Sequence, residues 1–74
     1  MKATVWLQGF GECPAIEVQD IKPGTITVWN YGVKCEAAGI ETSASGKTHR
    51  IRYADGRLDH RAMRTGRLVG VVEA

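Results

Sequence analysis

Apolar and polar side chains alternate one by one along most of this chain, and glycine-centred turns break the alternation about every ten residues. A period of two is the signature of a half-buried β-strand. Ala3, Val5 and Leu7 alternate with Thr4, Trp6 and Gln8 before Gly9, Gly11 and Pro14 interrupt the pattern. Residues 15–19 alternate again as a short strand. Lys22-Pro23-Gly24 predicts a turn, because proline presets the first corner and glycine accepts positive φ at the next. Residues 25–31 carry the strongest strand signal, with Thr25, Ile26, Thr27, Val28, Trp29 and Tyr31 all β-branched or aromatic. Ile26 and Val28 share one face there, and Thr27 and Trp29 the other.

Asn30-Tyr31-Gly32 is expected to turn the chain into a return strand through Val33, Cys35 and Ala37. The apolar phase then slips by one, to Ala38 and Ile40, which predicts a β-bulge beside Gly39. The polar stretch 42–46 reads as an exposed loop. Residues 47–53 form a strand with His49, Ile51 and Tyr53 on one face and Arg50 and Arg52 on the other. Asp55-Gly56 is the preferred dipeptide of a two-residue hairpin. It predicts a partner strand over 57–63, followed by a Thr65-Gly66 turn and a final strand over 68–72. Leu58, Ala62 and Met63 also fit a helical face ending at Gly66. The alternation of Leu58, His60 and Ala62 favours the strand.

This gives five to six short strands with no crossover helix, hence an all-β antiparallel sheet. At 74 residues the chain is a single small domain, and a barrel leaves it the fewest free strand edges. That length excludes a two-domain enzyme. A hydrophobic fraction of 43% excludes a disordered chain. No apolar run approaches the roughly 20 residues of a spanning helix. Gln8, Gly9 and Gly11 cut the N-terminal apolar stretch too early for a signal peptide, so a cytoplasmic location is expected.

The stretch 21–72 resembles the SH3-like small barrels of the Tudor and KOW kind. The resemblance rests on Ile21-Lys22-Pro23-Gly24 before a core strand, a strand pair around Gly32, Tyr53-Ala54-Asp55-Gly56 at a hairpin, and a short turn before Leu68-Val69. Residues 1–20 are an N-terminal strand extension to that pattern. Small barrel proteins carried by phages and other mobile elements are similar as well. The resemblance implies a binding module rather than an enzyme.

Two cysteines make no disulfide framework. In a reducing compartment Cys13 and Cys35 are thiols, with Cys35 expected toward a core and Cys13 in a loop before Pro14. Cys13, Cys35, His49 and His60 are separated by 22, 14 and 11 residues, unlike the close pairs of a closed zinc site, so no metal is expected. Ser45-Gly46-Lys47-Thr48 echoes the end of a phosphate-binding loop, but Glu41 stands where that loop needs glycine, and a strand follows. No nucleophile–base–carboxylate set stands out, and neither a catalytic residue nor a cofactor is expected.

The most informative feature is the distribution of charge. Residues 1–46 carry a net −2 and residues 47–74 a net +4, which together make the chain's +2. Six of the seven positives in the second half are arginine, which grips phosphate and carboxylate in fork geometry. A two-residue turn at Asp55-Gly56 would set Arg52 opposite Asp59, Arg50 opposite Arg61, and Ile51 opposite His60. The like-charge Arg50–Arg61 pair, with Arg57 alongside, would be relieved by an anionic ligand. The candidate binding residues are therefore Lys47, Arg50, Arg52, Arg57 and Arg61, with Trp29 and Tyr31 as stacking platforms. The expected partner is nucleic acid or an acidic protein surface. An interaction or assembly role, including a homo-oligomer built through a strand edge, is the alternative.

Overall fold

The computed structural model describes residues 3–72. Seven strands are joined in one antiparallel sheet: β1 (Thr4–Leu7), β2 (Gly11–Glu17), β3 (Ile26–Val28), β4 (Lys34–Thr42), β5 (Thr48–Tyr53), β6 (Met63–Arg64) and β7 (Leu68–Val71). Their order across the sheet is β1-β2-β7-β3-β4-β5-β6, and the sheet curls into a half-barrel. Two single turns of 3-10 helix, Val18–Asp20 and Asn30–Gly32, lie between strands. The all-β expectation holds, with seven strands rather than five or six. No helix among the described residues is long and apolar enough to cross a membrane.

The centre of the sheet is covered on both faces. On one, Val18, Ile21, Ala37, Ile51, Met63 and Val69 form the main core, with Trp29, Ile40 and Tyr53 packed against it. On the other, the β1–β2 hairpin lies over the sheet, and Leu7 and Cys13 cluster with Val28. Neighbouring residues of a strand point to opposite faces, so β3 sends Val28 to the hairpin and Trp29 to the main core. This is why residues 25–28 lack a solvated face. Gly70 of β7 permits the close approach: a Cβ there would meet the Val28 carbonyl oxygen at 2.8 Å, and the Cys13 Sγ and a Leu7 methyl at 3.3 Å.

Three local expectations are corrected. First, Cys13 is buried inside β2 rather than in a loop. Pro14 does not end the strand. Ala15 donates its N–H to the Ala3 carbonyl (3.0 Å), and adjacent residues of an antiparallel ladder point their polar groups opposite ways. Pro14 therefore has no N–H to lose toward β1. Pairing of β2 with β7 begins only at Ala15.

Second, the strand expected over 25–31 stops at Val28. Tyr31 (φ 64°) and Gly32 (φ 76°) both occupy the left-handed region, so the turn begins at Asn30. The Tyr31 N–H donates to the Gln8 carbonyl (2.6 Å), and the Asn30 Oδ1 accepts from the Gln8 N–H (3.0 Å). These bonds tie the turn to the end of β1 and hold the uncommon backbone at Tyr31 in place.

Third, residues 57–62 form neither the strand expected over 57–63 nor a helix. The Tyr53 N–H bonds the Arg57 carbonyl (2.8 Å), Arg52 bridges Leu58, and the Asp59 N–H bonds the Ile51 carbonyl (2.8 Å). The loop is therefore Ala54-Asp55-Gly56, one residue longer than expected, with Gly56 at φ 93°. A one-residue slip turns every following side chain to the other face. Regular pairing resumes only at β6, where Met63 lies opposite His49. The bulge at Gly39 is present, between the Ala37–Tyr53 and Gly39–Arg52 pairs.

Candidate aromatic and arginine groove

The corrected register divides the expected site residues among three places. Arg50 and Arg52 stand on the outer face of β5. Arg50 pairs across the ladder with Glu41, and Arg52 is ion-paired and hydrogen-bonded to the same carboxylate. The expected Arg50–Arg61 pair does not form, and neither does the Arg52–Asp59 pair. Lys47 is exposed in the turn before β5, and Arg64, which the sequence reading omitted, lies beside this face opposite Thr48. Tyr31 is exposed on the turn after β3, its ring against Gly9.

Trp29, Arg57 and Arg61 come together. Thr27, fully buried beside Trp29, accepts a hydrogen bond from the indole Nε1 (3.0 Å) and donates one to the Cys35 carbonyl (2.8 Å). The indole is thereby fixed with one face toward the Arg61 guanidinium, whose carbon lies 5.1 Å from the ring centroid. That is cation–π range. Arg57 lies over Tyr53 in the same way, at 5.7 Å.

A buried carboxylate organises the pair. Asp59 accepts the Tyr53 hydroxyl (2.8 Å) and the Arg61 backbone N–H (2.9 Å), and the Arg61 Nε lies 3.5 Å from its second bonded oxygen. Burial pushes the Asp59 carboxyl up. The Arg61 N–H, the Tyr53 hydroxyl and the Arg61 charge outweigh that, so it is held below the usual carboxylate range. The Tyr53 phenol moves the other way, raised by burial and by its bond to Asp59. Arg57 bonds Asp55 through its backbone N–H (2.9 Å) and its Nε (2.6 Å). These bonds lower the Asp55 carboxyl and raise the guanidinium. Each arginine is held on its ring by the aspartate two residues before it.

Two depressions meet at this point. One, of about 400 Å³, is lined by Trp29, Cys35, Tyr53, Arg57, His60 and Arg61. The other, of about 480 Å³, includes Trp6, Trp29, Val33, Arg61 and Arg67 in its wall. They share Trp29 and Arg61. Together their walls hold Trp6, Trp29 and Tyr53 with Arg67, Arg61 and Arg57. Trp6, Tyr53 and Arg67 were not among the expected site residues. Tyr53 reads as core by alternation, and only the longer turn brings Arg57 over it. Arg67 follows a Thr65-Gly66 turn whose direction no short-range pattern specifies.

The histidines occupy different settings. His49 is buried, with Nδ1 2.9 Å from the Thr42 hydroxyl and Nε2 2.6 Å from the Thr65 hydroxyl. Both ring nitrogens are thus engaged in holding β4, β5 and the turn after β6. His60 is exposed at the rim of the groove. Among the described residues no three His, Cys, Asp or Glu side chains gather as a metal site would require. The thiols of Cys13 and Cys35 are both free. No family model matches the chain, and neither a curated protein nor a solved structure matches it.

Proposed function

We propose that the protein is a non-enzymatic binding module that takes single-stranded nucleic acid along the groove walled by Trp6, Trp29 and Tyr53. One observation carries the reading: two depressions meet at the stacked Trp29–Arg61 pair, and their walls include three aromatic residues and three arginines. Nucleobases stack on aromatic faces whatever their identity, and the phosphates beside them call for cations. Arginine suits both roles, since its planar head stacks and its fork grips phosphate. The Tudor- and KOW-like features of the sequence fit a barrel used as a binding platform. The outer-face cations Lys47, Arg50 and Arg64 would extend the positive field around the groove.

The test is a tryptophan-fluorescence titration with short oligothymidylate and oligouridylate at two salt concentrations. Quenching that weakens with salt is expected. Trp6→Ala and Arg67→Glu alter exposed side chains, so the fold should survive both. Losing one stacking platform should weaken binding about 5- to 150-fold. Absence of quenching at low salt would sink the proposal. Quenching by polyglutamate but not by oligonucleotide would transfer the groove to an acidic protein surface.

A further inference from the structure

The sheet ends on two edges, β1 and β6. The β6 edge is two residues long and carries Arg64. Short, charged edges of this kind resist pairing with another chain. The β1 edge lacks such protection, since residues 3–8 contain neither a charge nor a proline.

The register shows which groups that edge presents. Ala15 donates to the Ala3 carbonyl, and β1 pairs Thr4 with Pro14, Val5 with Cys13 and Trp6 with Glu12. Bonded and non-bonded pairs alternate in an antiparallel ladder, so Val5 turns its polar groups toward β2. Thr4 and Trp6 turn theirs away from it. The next residue in that series, Gln8, is satisfied on the same side by Asn30 and Tyr31. The open edge therefore runs from Thr4 to Trp6, and among the described residues no backbone hydrogen bond closes it. Four of the six large exposed hydrophobics of the described chain sit at this end: Trp6, Phe10, Tyr31 and Val33. Trp6 is 78% exposed.

We propose that this edge pairs antiparallel with the same edge of a second copy of the chain. A two-fold axis through Val5 sets Thr4 of each copy opposite Trp6 of the other. The two Thr4–Trp6 pairs then exchange about four main-chain hydrogen bonds. A second copy is the favoured occupant because the segment complements itself: it brings no like charges together, and each indole gains a cross-strand neighbour. The Asn30–Gly32 turn caps Gln8 in both copies and excludes registers that would pair through Gln8. The proposal goes beyond the nucleic-acid reading; the two share Trp6, through its backbone here and as a wall residue of the groove there.

The experiment is sedimentation velocity on the full chain across rising concentration, with amide hydrogen exchange on the same samples. Mass should move from monomer toward dimer, and exchange of the Thr4 and Trp6 amides should slow as it does. Thr4→Pro removes one outward N–H while leaving the β1–β2 ladder intact, and should hold the chain as a monomer. It should also keep its salt-dependent oligonucleotide quenching, which separates a failure here from a failure of the groove. A strict monomer at every concentration overturns the proposal and leaves the edge to a strand of some other protein. So does a dimer in which the Thr4 and Trp6 amides exchange at a concentration-independent rate, a readout of the unaltered protein that stands even if Thr4→Pro fails to fold.

Discussion

Thr27 illustrates how a single hydroxyl determines what a neighbouring ring can do. It is fully buried, gives its proton to the Cys35 carbonyl and receives the indole N–H of Trp29. Thr27→Val keeps the shape and orphans both partners, so it should cost about 1–3 kcal/mol, read by urea unfolding. Freed from its anchor, Trp29 should also show altered fluorescence in the native state. Asp59 supports the opposite side of the ring through Arg61. Its folded pKa lies below its ordinary value, so its contribution is complete above about pH 4 and disappears as pH falls through the folded value. Asp59→Asn should lower stability at neutral pH by about 1–3 kcal/mol and flatten the acid limb of a stability–pH curve. Tyr53 works in the other direction. Its raised pKa means that its stabilising neutral form is retained below about pH 10 and lost as pH rises through the folded value. An ultraviolet titration should find one of the chain's two phenols ionising well above that range.

At the scale of elements, turns decide where the groove residues go. The alternation of His49, Ile51 and Tyr53 was legible because a buried strand sorts its side chains by parity. The bulge at Gly39 was legible because the apolar phase slips there. The register beyond Gly56 was not. Asp-Gly favours a two-residue loop only as a preference, and here the buried bonds of Asp59 to Tyr53 and Arg61 outweigh it. That single residue moves Arg61 from a pairing with Arg50 to a seat on Trp29. The strand reading of 57–63 failed for the same reason, since the alternation of Leu58, His60 and Ala62 has no partner strand in phase with it. Residue 70 offers a test of the packing between the hairpin and the sheet. Gly70→Ala places a methyl against the Val28 carbonyl, Cys13 and Leu7, and overpacking of this kind costs about 1–3 kcal/mol. Thiol labelling under native conditions should report the change directly, with Cys13 becoming reactive as the hairpin loosens.

For the whole molecule, the near-neutral +2 conceals an asymmetry that the fold partly cancels. Three of the arginines in the basic half have a carboxylate partner within the same half or across the β4–β5 ladder: Arg52 with Glu41, Arg57 with Asp55, and Arg61 with Asp59. Charge counting alone therefore overstates the field available to a ligand. If three groove arginines each engage one phosphate of a single strand, the logarithmic salt slope should be about −2; a slope near zero would indicate stacking without phosphate contact. The order β1-β2-β7-β3 has a further consequence, for the time course of synthesis. β7 is the last of the seven strands to leave the ribosome, yet it stands between β2 and β3 and joins Gly70 to Ala15. Until it emerges, the two halves of the sheet have no shared ladder. Chains stalled before Leu68 should bind conformational probes as unfolded polypeptide, and the fold should be acquired in one late, concerted step rather than strand by strand as the chain grows.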